Sequence, residues 1–269
     1  MSDNSLRAVV FDWAGTIIDH GSQAPMGVFV KAFAKFGVDL TVAEARGPMG
    51  AAKRDHIASL MKLDSVANQW RAKYGHAPGE TDIDNVYEVF VPLNVESVTD
   101  YADLIEGAAD TVKALRARGL RIGSNTGYLR EIMDRIIPLA REQGYEPDNM
   151  VCASDLPMGR PTPMMMYKTF LDLGVWPACR VVKVDDTTVG IEEGLNAGCW
   201  TVGVALSGNV FGLGVEETRQ LSEAEFARMR DEAYATLTRT GAHFVIDSVA
   251  DLLPVIDEIE GCLARGERP

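Results

Sequence analysis

Residues 8–16 read AVVFDWAGT, an apolar run that ends on a carboxylate and passes at once into a glycine turn. Such a run is typical of a strand buried inside a parallel sheet. In open α/β sheets the chemistry lies just beyond the carboxyl ends of the strands, which is where Asp12 stands. An Asp near a Gly is equally typical of a plain turn, so this stretch alone leaves both interpretations of Asp12 open.

The composition is that of an ordinary soluble globular protein. The chain has 269 residues, of which 46% are hydrophobic and 24% are charged, and this length suits one large domain or a domain with an insert. The formal net charge of −13 argues against nucleic acid and anionic membrane surfaces as partners. An anionic substrate would therefore need cations and backbone N–H groups placed locally around it.

No segment of the sequence has the pattern of a targeting signal or a membrane span. Residues 1–7 lack a basic region followed by an apolar one, and no apolar stretch is long enough to cross a bilayer. The 4 cysteines are scattered without a Cys-x-x-Cys pair, which predicts buried thiols and neither a disulfide framework nor a zinc site. We therefore expect a cytoplasmic protein.

Helical patterns fill the chain between residues 19 and 100, where no convincing strand occurs. Thr41 and Glu44 have the spacing of a capping box that opens a short helix. Apolar residues at helical spacing predict further helices over 25–36, 51–61 and 82–98.

Strands and helices alternate from residue 100 onward. Short apolar runs, each followed by a helical pattern, predict strands over 120–124, 150–153, 181–184, 200–204 and 243–246. This alternation is typical of a doubly wound parallel sheet. The predicted fold class is α/β, a Rossmann-like doubly wound parallel sheet core with an inserted all-helical cap domain. The core takes residues 1–19 and 100–269, and the cap takes residues 20–99.

Further polar residues stand at the predicted strand ends. Residues 124–127, SNTG, offer hydroxyl and backbone N–H groups at a helix start, which suits an anion, although such clusters are usually plain turns. Arg160 places a cation in a rigid loop, where a lone Arg is most often a solvated surface charge. Asp185 and Asp186 end a buried strand, where two carboxylates repel each other unless a cation is present. Oxygen ligands without His or Cys favour magnesium.

In this order, an Asp, a Ser/Thr loop, a basic residue and an acidic pair resemble the motifs of the haloacid dehalogenase superfamily of phosphoryl-transfer enzymes. The resemblance covers nearly all of the predicted sheet domain. It implies that Asp12 is the nucleophile that becomes an aspartyl phosphate, and that Thr126 and Arg160 hold the phosphoryl group. It also implies that Asp12 and Asp186 bind Mg²⁺.

Two positions depart from the pattern of that superfamily. Most of its phosphatases have an Asp two residues after the nucleophile, which protonates the leaving oxygen, whereas this chain has Ala14. An alkoxide leaving group would lack its general acid, while the backbone carbonyl of Ala14 is still available to the metal. Gly190 stands where many relatives have another acid. Glu192 and Glu193 are the candidates to replace that acid near the metal, and surface positions are the alternative.

Residues 49–56 of the predicted cap read MGAAKRDH. Together with Ala14 and Arg160, this segment resembles the phosphonoacetaldehyde hydrolase family, the branch of the superfamily that cleaves a carbon–phosphorus bond. The resemblance implies that Lys53 forms an imine with the substrate aldehyde. It implies substrate contacts at Met49, Gly50, His56, Thr126, Gly127, Tyr128 and Arg160.

The chemistry of the bond supports an imine independently. A carbanion cannot leave phosphorus unless something accepts its electrons, and a protonated imine beside that carbon is such an acceptor. To attack a carbonyl, Lys53 must be neutral, so we expect desolvation and nearby positive charge to lower its pKa from ~10.4 toward about 7 to 8. His56 shares a helix face with Lys53 and, by resemblance, relays its protons with Tyr128. A solvated Lys53 and a solvent-facing His56 are the structural alternatives.

The resemblance therefore predicts hydrolysis of phosphonoacetaldehyde to acetaldehyde and phosphate, with Mg²⁺, in the degradation of 2-aminoethylphosphonate. A phosphate-ester phosphatase or phosphomutase is the enzymatic alternative, and Ala14 disfavours it. A phosphate-sensing binding protein is the non-catalytic alternative, and the complete set of motifs disfavours it.

The resemblance also implies a homodimer that assembles through the caps. Phe29, Phe33 and Phe36, at helical spacing, are candidates either for that interface or for the core of the cap itself. The segment 207–214, rich in glycine, has no assigned role.

Overall fold

The computed structural model describes residues 5–269, so residues 1–4 of the predicted core lie outside the described part of the chain. One six-stranded sheet has the order β3-β2-β1-β4-β5-β6, and every pairing is parallel. The α/β class and the doubly wound sheet are thereby confirmed. The strands are β1 Ala8–Phe11, β2 Arg121–Thr126, β3 Val151–Cys152, β4 Val181–Asp185, β5 Trp200–Val204 and β6 Phe244–Ile246.

The strand order reverses between β1 and β4, which makes this the point where a ligand crevice opens in such sheets. Phe11 is level with Ser124 of β2 and with Val184 of β4, and the backbone N–H of Asp12 donates to the carbonyl of Val184 at 3.0 Å. The register therefore brings Asp12, the end of β2 and the acidic end of β4 to one edge of the sheet.

Helices of the cap pack around a hydrophobic core of their own, separate from that of the sheet. The predicted capping box of Thr41 and Glu44 is present. The sequence analysis missed α4, because Val66 and Trp70 are its only buried residues and make too sparse an apolar stripe. The cap helices are α1 Ala24–Lys35, α2 Val42–Arg46, α3 Lys53–Met61, α4 Asp64–Tyr74 and α5 Glu80–Ser97.

The remaining helices flank the sheet or follow its last strands. They are α6 Ala108–Ala117, α7 Arg130–Glu142, α8 Met164–Leu173, α9 Thr188–Ala197, α10 Val215–Arg219, α11 Glu223–Thr240 and α12 Leu252–Ala264. Within residues 5–269, no helix has the length and apolar character needed to span a bilayer. The two chain segments that join sheet and cap run side by side, with Ile18 bridged to Leu104 in antiparallel fashion.

The aromatic residues Phe29 and Phe33 of α1, and Phe36 directly after it, do not form an exposed face. Phe29 and Phe33 are fully buried in the core of the cap, and Phe36 packs against that core. Of the two interpretations of Phe29 and Phe33, the core of the cap is confirmed, and the dimer interface is excluded for these two residues because neighbouring cap helices already cover them. A homodimer formed through other cap residues stays a prediction.

Candidate active site

The carboxyl edge of the sheet and the cap together line a small cavity of about 20 Å³. Every predicted site residue except His56 and Asp186 contributes to its lining, together with Ser22 and Thr187, which the sequence analysis did not single out. The predicted residues in the wall are Asp12, Ala14, Met49, Gly50, Lys53, Thr126, Gly127, Tyr128 and Arg160.

Arg160 is a buried cation on the core side of this cavity. Its Nη2 atom lies 2.8 Å from Asp12 Oδ1 and 3.3 Å from Asp185 Oδ2, and its Nε atom lies 3.0 Å from Glu193 Oε2. Its Nη1 atom has no hydrogen-bond partner among the described residues. Arg160 is thus not a solvated surface charge, and Nη1 is left as a donor for an anionic group in the cavity.

A second buried cation, Lys183, stands in the middle of β4. Its Nζ atom donates to Asn125 Oδ1 at 2.6 Å, and it lies 3.0 Å from Asp185 Oδ2 and 3.5 Å from Glu193 Oε2. Buried charges are costly unless they are paired and hydrogen-bonded. Arg160 and Lys183 together provide that pairing for Asp185 and Glu193.

Three aspartates, Asp12, Asp185 and Asp186, each place a carboxylate oxygen within 4.8 Å of the others. Asp185 is committed to other partners, since its Oδ1 accepts from the backbone N–H and hydroxyl of Thr187 and its Oδ2 faces the two cations. Burial opposes its ionisation, but the charges of Arg160 and Lys183 outweigh burial and hold the pKa of Asp185 below its usual value. Asp12 has one cationic partner, Arg160, and no cation is paired with Asp186 among the described residues, so these two carboxylates are the better candidates to hold a metal.

The electrostatics of these two carboxylates favour a bound cation. Burial, reinforced by the charge of Asp185, raises the pKa of Asp12 to about 6. Burial and the charge of Asp12 raise the pKa of Asp186 well above its usual value. A hard divalent cation between them would stabilise both ionised forms, and an all-oxygen donor set fits Mg²⁺.

Gly15 and Gly190 leave the space that the carboxylates of Asp186 and Asp185 occupy. A Cβ atom on Gly15, which has φ +84°, would lie 2.2 Å from Asp186 Oδ2. A Cβ atom on Gly190 would lie 2.0 Å from Asp185 Cγ, so an acid at position 190 would displace Asp185. Neither candidate replaces that acid at the metal, because Glu192 is exposed and Glu193 is paired with Arg160 and Lys183.

Lys53 enters the cavity from the cap, as the first residue of α3. Its side chain is buried, with Nζ 4.7 Å from the centre of the Tyr128 ring and 5.9 Å from that of Phe29. Burial lowers the pKa of Lys53 to about 8, against the attraction of Asp12 and with the help of the positive charge of Arg160. A solvated surface lysine is therefore excluded, and the amine is partly neutral near pH 8.

His56 is fully buried one turn along α3 and does not face solvent. Its Nε2 atom lies 2.8 Å from the carbonyl oxygen of Ala45, and its ring stacks on Phe29 with centres 4.0 Å apart. Burial, with the charge of Lys53, lowers the pKa of His56 to about 3. A neutral imidazole that donates from Nε2 keeps Nδ1 as an acceptor, and among the described residues Nδ1 has no partner.

Gly50 and Gly127 bring the cap into direct contact with the core. A Cβ atom on Gly50, which has φ +89°, would lie 2.4 Å from the hydroxyl of Thr187. A Cβ atom on Gly127 would lie 2.8 Å from the carbonyl oxygen of Ala51. The absence of side chains at these two positions lets residues 49–52 of the cap contact the core beside Asp12.

Comparison with known proteins agrees with this geometry. The haloacid dehalogenase-like hydrolase family matches residues 6–198. A protein named phosphonoacetaldehyde hydrolase from Paraburkholderia phytofirmans is 58% identical over 264 residues, which are 98% of this chain and 99% of the relative. One of the same name from Klebsiella pneumoniae is 47% identical over 99% of this chain and 100% of its own length. This chain belongs to the phosphonoacetaldehyde hydrolase family.

A solved structure supports the same placement within the haloacid dehalogenase-like hydrolases. The crystal structure of a phosphonoacetaldehyde hydrolase like protein from Oleispira antarctica matches with a TM-score of 0.96 at 44% identity. The match covers 98% of this chain and 96% of that one. The cap and the core therefore share one arrangement in the two hydrolases.

The sequence analysis missed several residues of this site in the hydrolase. Ser22 lies in the segment that joins sheet and cap, and its buried hydroxyl lines the cavity without a partner among the described residues. Lys183 interrupts the apolar run of β4, and a lysine inside the sequence VVKVD was the only sign of its role that the sequence offered. Ser22 and Thr187 reach the cavity only because distant segments of the chain contact each other in the fold.

Replacing Gly190 by Ala tests the crowding around Asp185. We expect Gly190→Ala to lower the free energy of unfolding by about 1–3 kcal/mol and to reduce phosphate release, because the new Cβ must displace the carboxylate. Gly27→Ala is the matched control, since Gly27 is also helical and its Cβ would meet nothing within 4 Å. The control should be as stable as the parent or more so by up to about 1 kcal/mol. Equal stability and activity in the two variants, measured by urea unfolding and phosphate release, would contradict this account of Gly190.

Proposed function

We propose that this protein hydrolyses the carbon–phosphorus bond of phosphonoacetaldehyde to acetaldehyde and phosphate, through an imine on Lys53 and an aspartyl phosphate on Asp12. The observation that carries the proposal is one cavity lined by a buried amine from the cap, Lys53, and a buried carboxylate from the core, Asp12. Arg160, bonded to Asp12 and with Nη1 free, supports binding of the phosphoryl group between them. The names of the full-length relatives support the same substrate.

Lys53 performs the first step. Its neutral amine adds to the aldehyde carbon, water leaves, and the product is a protonated imine joined to the substrate carbon chain. The pKa of about 8 supports this role, because an appreciable fraction of the amine is unprotonated near that pH. Tyr128 fits a proton donor, since burial raises the pKa of its hydroxyl well above the usual value and keeps it protonated. His56 stays neutral and accepts at Nδ1.

Asp12 performs the second step. Its carboxylate attacks phosphorus, the carbon–phosphorus bond breaks, and the electron pair of that bond moves into the imine to give an enamine. Arg160 and Thr126 hold the phosphoryl oxygens during the transfer. Mg²⁺, held by Asp12, Asp186 and the carbonyl of Ala14, supplies charge neutralisation when bound.

Water completes the turnover. The enamine takes up a proton at carbon, and hydrolysis of the resulting imine frees acetaldehyde and the Lys53 amine. Hydrolysis of the aspartyl phosphate frees phosphate and restores Asp12. The burial of Asp12 and Lys53 limits the access of bulk water to the reacting groups until the carbon–phosphorus bond has broken.

The cavity does not favour a phosphate-ester phosphatase. Within the described chain, Asp12 is the sole carboxylic acid in the cavity wall, and Ala14 stands where an ester phosphatase of this superfamily has its acid. His56, with a pKa of about 3, is neutral and bonded to Ala45. An alkoxide would leave without the carboxylic acid that protonates it in ester phosphatases of this superfamily, whereas an enamine needs no such acid in order to leave.

The wider setting follows from the same proposal. We place the reaction in 2-aminoethylphosphonate degradation, in the cytoplasm, and we infer a homodimer formed through the cap. The substrate's aldehyde and phosphonate groups support the first assignment, since removal of the amino group of 2-aminoethylphosphonate yields this aldehyde.

Reductive trapping tests the imine. Borohydride added with acetaldehyde should inactivate the enzyme and leave a reduced two-carbon adduct on Lys53. Lys53→Arg should lose both the adduct and carbon–phosphorus cleavage, because guanidinium stays protonated at working pH. Lys62→Arg, an exposed lysine at the end of the same helix, is the matched control and should keep both. A reduced adduct on another lysine, or no adduct on an enzyme that still turns over, would contradict the imine mechanism.

The pH dependence of trapping tests the environment of Lys53. With cyanoborohydride and acetaldehyde, the rate of inactivation should rise about tenfold per pH unit below pH 8 and level off above it, since only the unprotonated amine reacts. A lysine with an ordinary pKa would give a rate that keeps rising beyond pH 10. That second profile, measured by loss of phosphate release, would show that the amine is solvated.

A further inference from the structure

The segment 207–214, which follows β5, touches the catalytic loops of the core on one side. The hydroxyl of Ser207 donates to the carbonyl of Gly15 at 2.9 Å. The backbone N–H of Asn209 donates to Asp186 Oδ2 at 2.8 Å, while the hydroxyl of Thr16 donates to Asp186 Oδ1 at 3.0 Å. Asn209 and Thr16 therefore fix the two oxygens of Asp186 from opposite sides.

On its other side, the same segment is held by Arg46, the last residue of cap helix α2. Nη2 of Arg46 donates to the carbonyl of Gly212 at 2.6 Å, and Nη1 donates to Asn209 Oδ1 at 3.2 Å. The amide of Asn209 returns a bond to the carbonyl of Arg46 at 3.4 Å. Nη1 also donates to the carbonyl of Gly21, in the segment that joins sheet and cap, at 2.8 Å. One guanidinium thus joins the cap, the joining segment and the core.

We propose that Arg46 and Asn209 are positioning residues that make metal binding by Asp186 depend on the closed position of the cap. Asn209 connects the two, because its side chain bonds to Arg46 and its backbone N–H bonds to Asp186. When the cap moves away, Arg46 releases residues 207–214, and Asp186 loses the N–H that orients its carboxylate. This inference rests on the proposed function, in which Asp186 holds Mg²⁺.

The geometry of Arg46 differs from that of other cap arginines. Arg54, on α3, pairs with Glu80 at 2.8 Å and with Asp84 at 2.7 Å, and both partners belong to the cap itself. The guanidinium of Arg46, in contrast, bonds to groups outside the cap helices, among them two backbone carbonyls. A planar group with several N–H donors can reach these acceptors at the same time. A lysine at position 46 would keep the charge and lose this simultaneous contact.

The coupling between cap closure and metal binding can be measured through the Kd of Mg²⁺, because the two equilibria are thermodynamically linked. If closure of the cap strengthens metal binding, metal binding favours closure by the same factor, and such couplings are typically about 5- to 150-fold. Titration calorimetry with Mg²⁺ alone should show a Kd raised by a factor in that range in Arg46→Lys. Asn209→Ala should give a similar loss, because it keeps the N–H on Asp186 and removes the link to Arg46. The double variant should lose little more than either single one.

Arg54→Lys is the matched control, and its Mg²⁺ affinity should equal that of the parent. Excess Mg²⁺ should restore most of the phosphate release of Arg46→Lys, whereas a purely structural defect would persist at saturating metal. Unchanged Mg²⁺ affinity in Arg46→Lys and Asn209→Ala, or an equal loss in Arg54→Lys, would overturn the inference. If the parent itself binds no Mg²⁺ and Asp186→Asn changes nothing, the proposed metal site fails instead of the coupling.

Discussion

The burial of carboxylates at the ends of two neighbouring strands is the constraint on which the rest of this structure depends. Parallel pairing of β1 with β4 brings Asp12, Asp185 and Asp186 together at one edge, where water is scarce. Arg160 and Lys183 neutralise only part of that charge. Burial raises the pKa of Asp12 and of Asp186, and the charge of Asp185 adds to it at both groups, so a divalent cation fits beside them.

The cap adds a buried amine, Lys53, to this charged edge of the sheet. Glycines at positions 50 and 127 allow its residue 49–52 segment to reach the core, and burial beneath that segment lowers the pKa of Lys53 to about 8. The same enclosure that makes the carboxylates difficult to ionise therefore makes the amine easier to deprotonate. A site with a reactive amine and Ala14 in place of a general acid suits a carbon leaving group better than an oxygen one.

The sequence predicted the sheet and the cap, because both depend on local patterns of apolar runs and helical spacing. Polar residues at strand ends indicated Asp12, residues 124–127 and Arg160, whereas Met49, Gly50, Lys53 and Tyr128 were implied by the resemblance to the phosphonoacetaldehyde hydrolase family. The sequence did not predict α4, whose apolar stripe is sparse, or the roles of Ser22, Lys183 and residues 207–214. Those roles arise from contacts between segments far apart in the chain, such as Ser207 with Gly15. The helical spacing of Phe29 and Phe33 likewise predicted a buried face, but it could not distinguish burial in the core of the cap from burial in a dimer interface.

The order of the two covalent steps is the most direct test of the account. Asp12→Asn, treated with phosphonoacetaldehyde and borohydride, should release no phosphate and should carry on Lys53 a reduced adduct that still contains phosphorus. The parent protein under the same treatment should carry the two-carbon adduct without phosphorus, because Asp12 has already removed the phosphoryl group. Mass spectrometry of the Lys53 peptide separates the two, and the mass of the peptide around position 12 checks that the introduced amide has not deamidated. Phosphate release by intact Asp12→Asn, or a phosphorus-free adduct on its Lys53, would contradict the assignment of Asp12 as the group that accepts phosphorus.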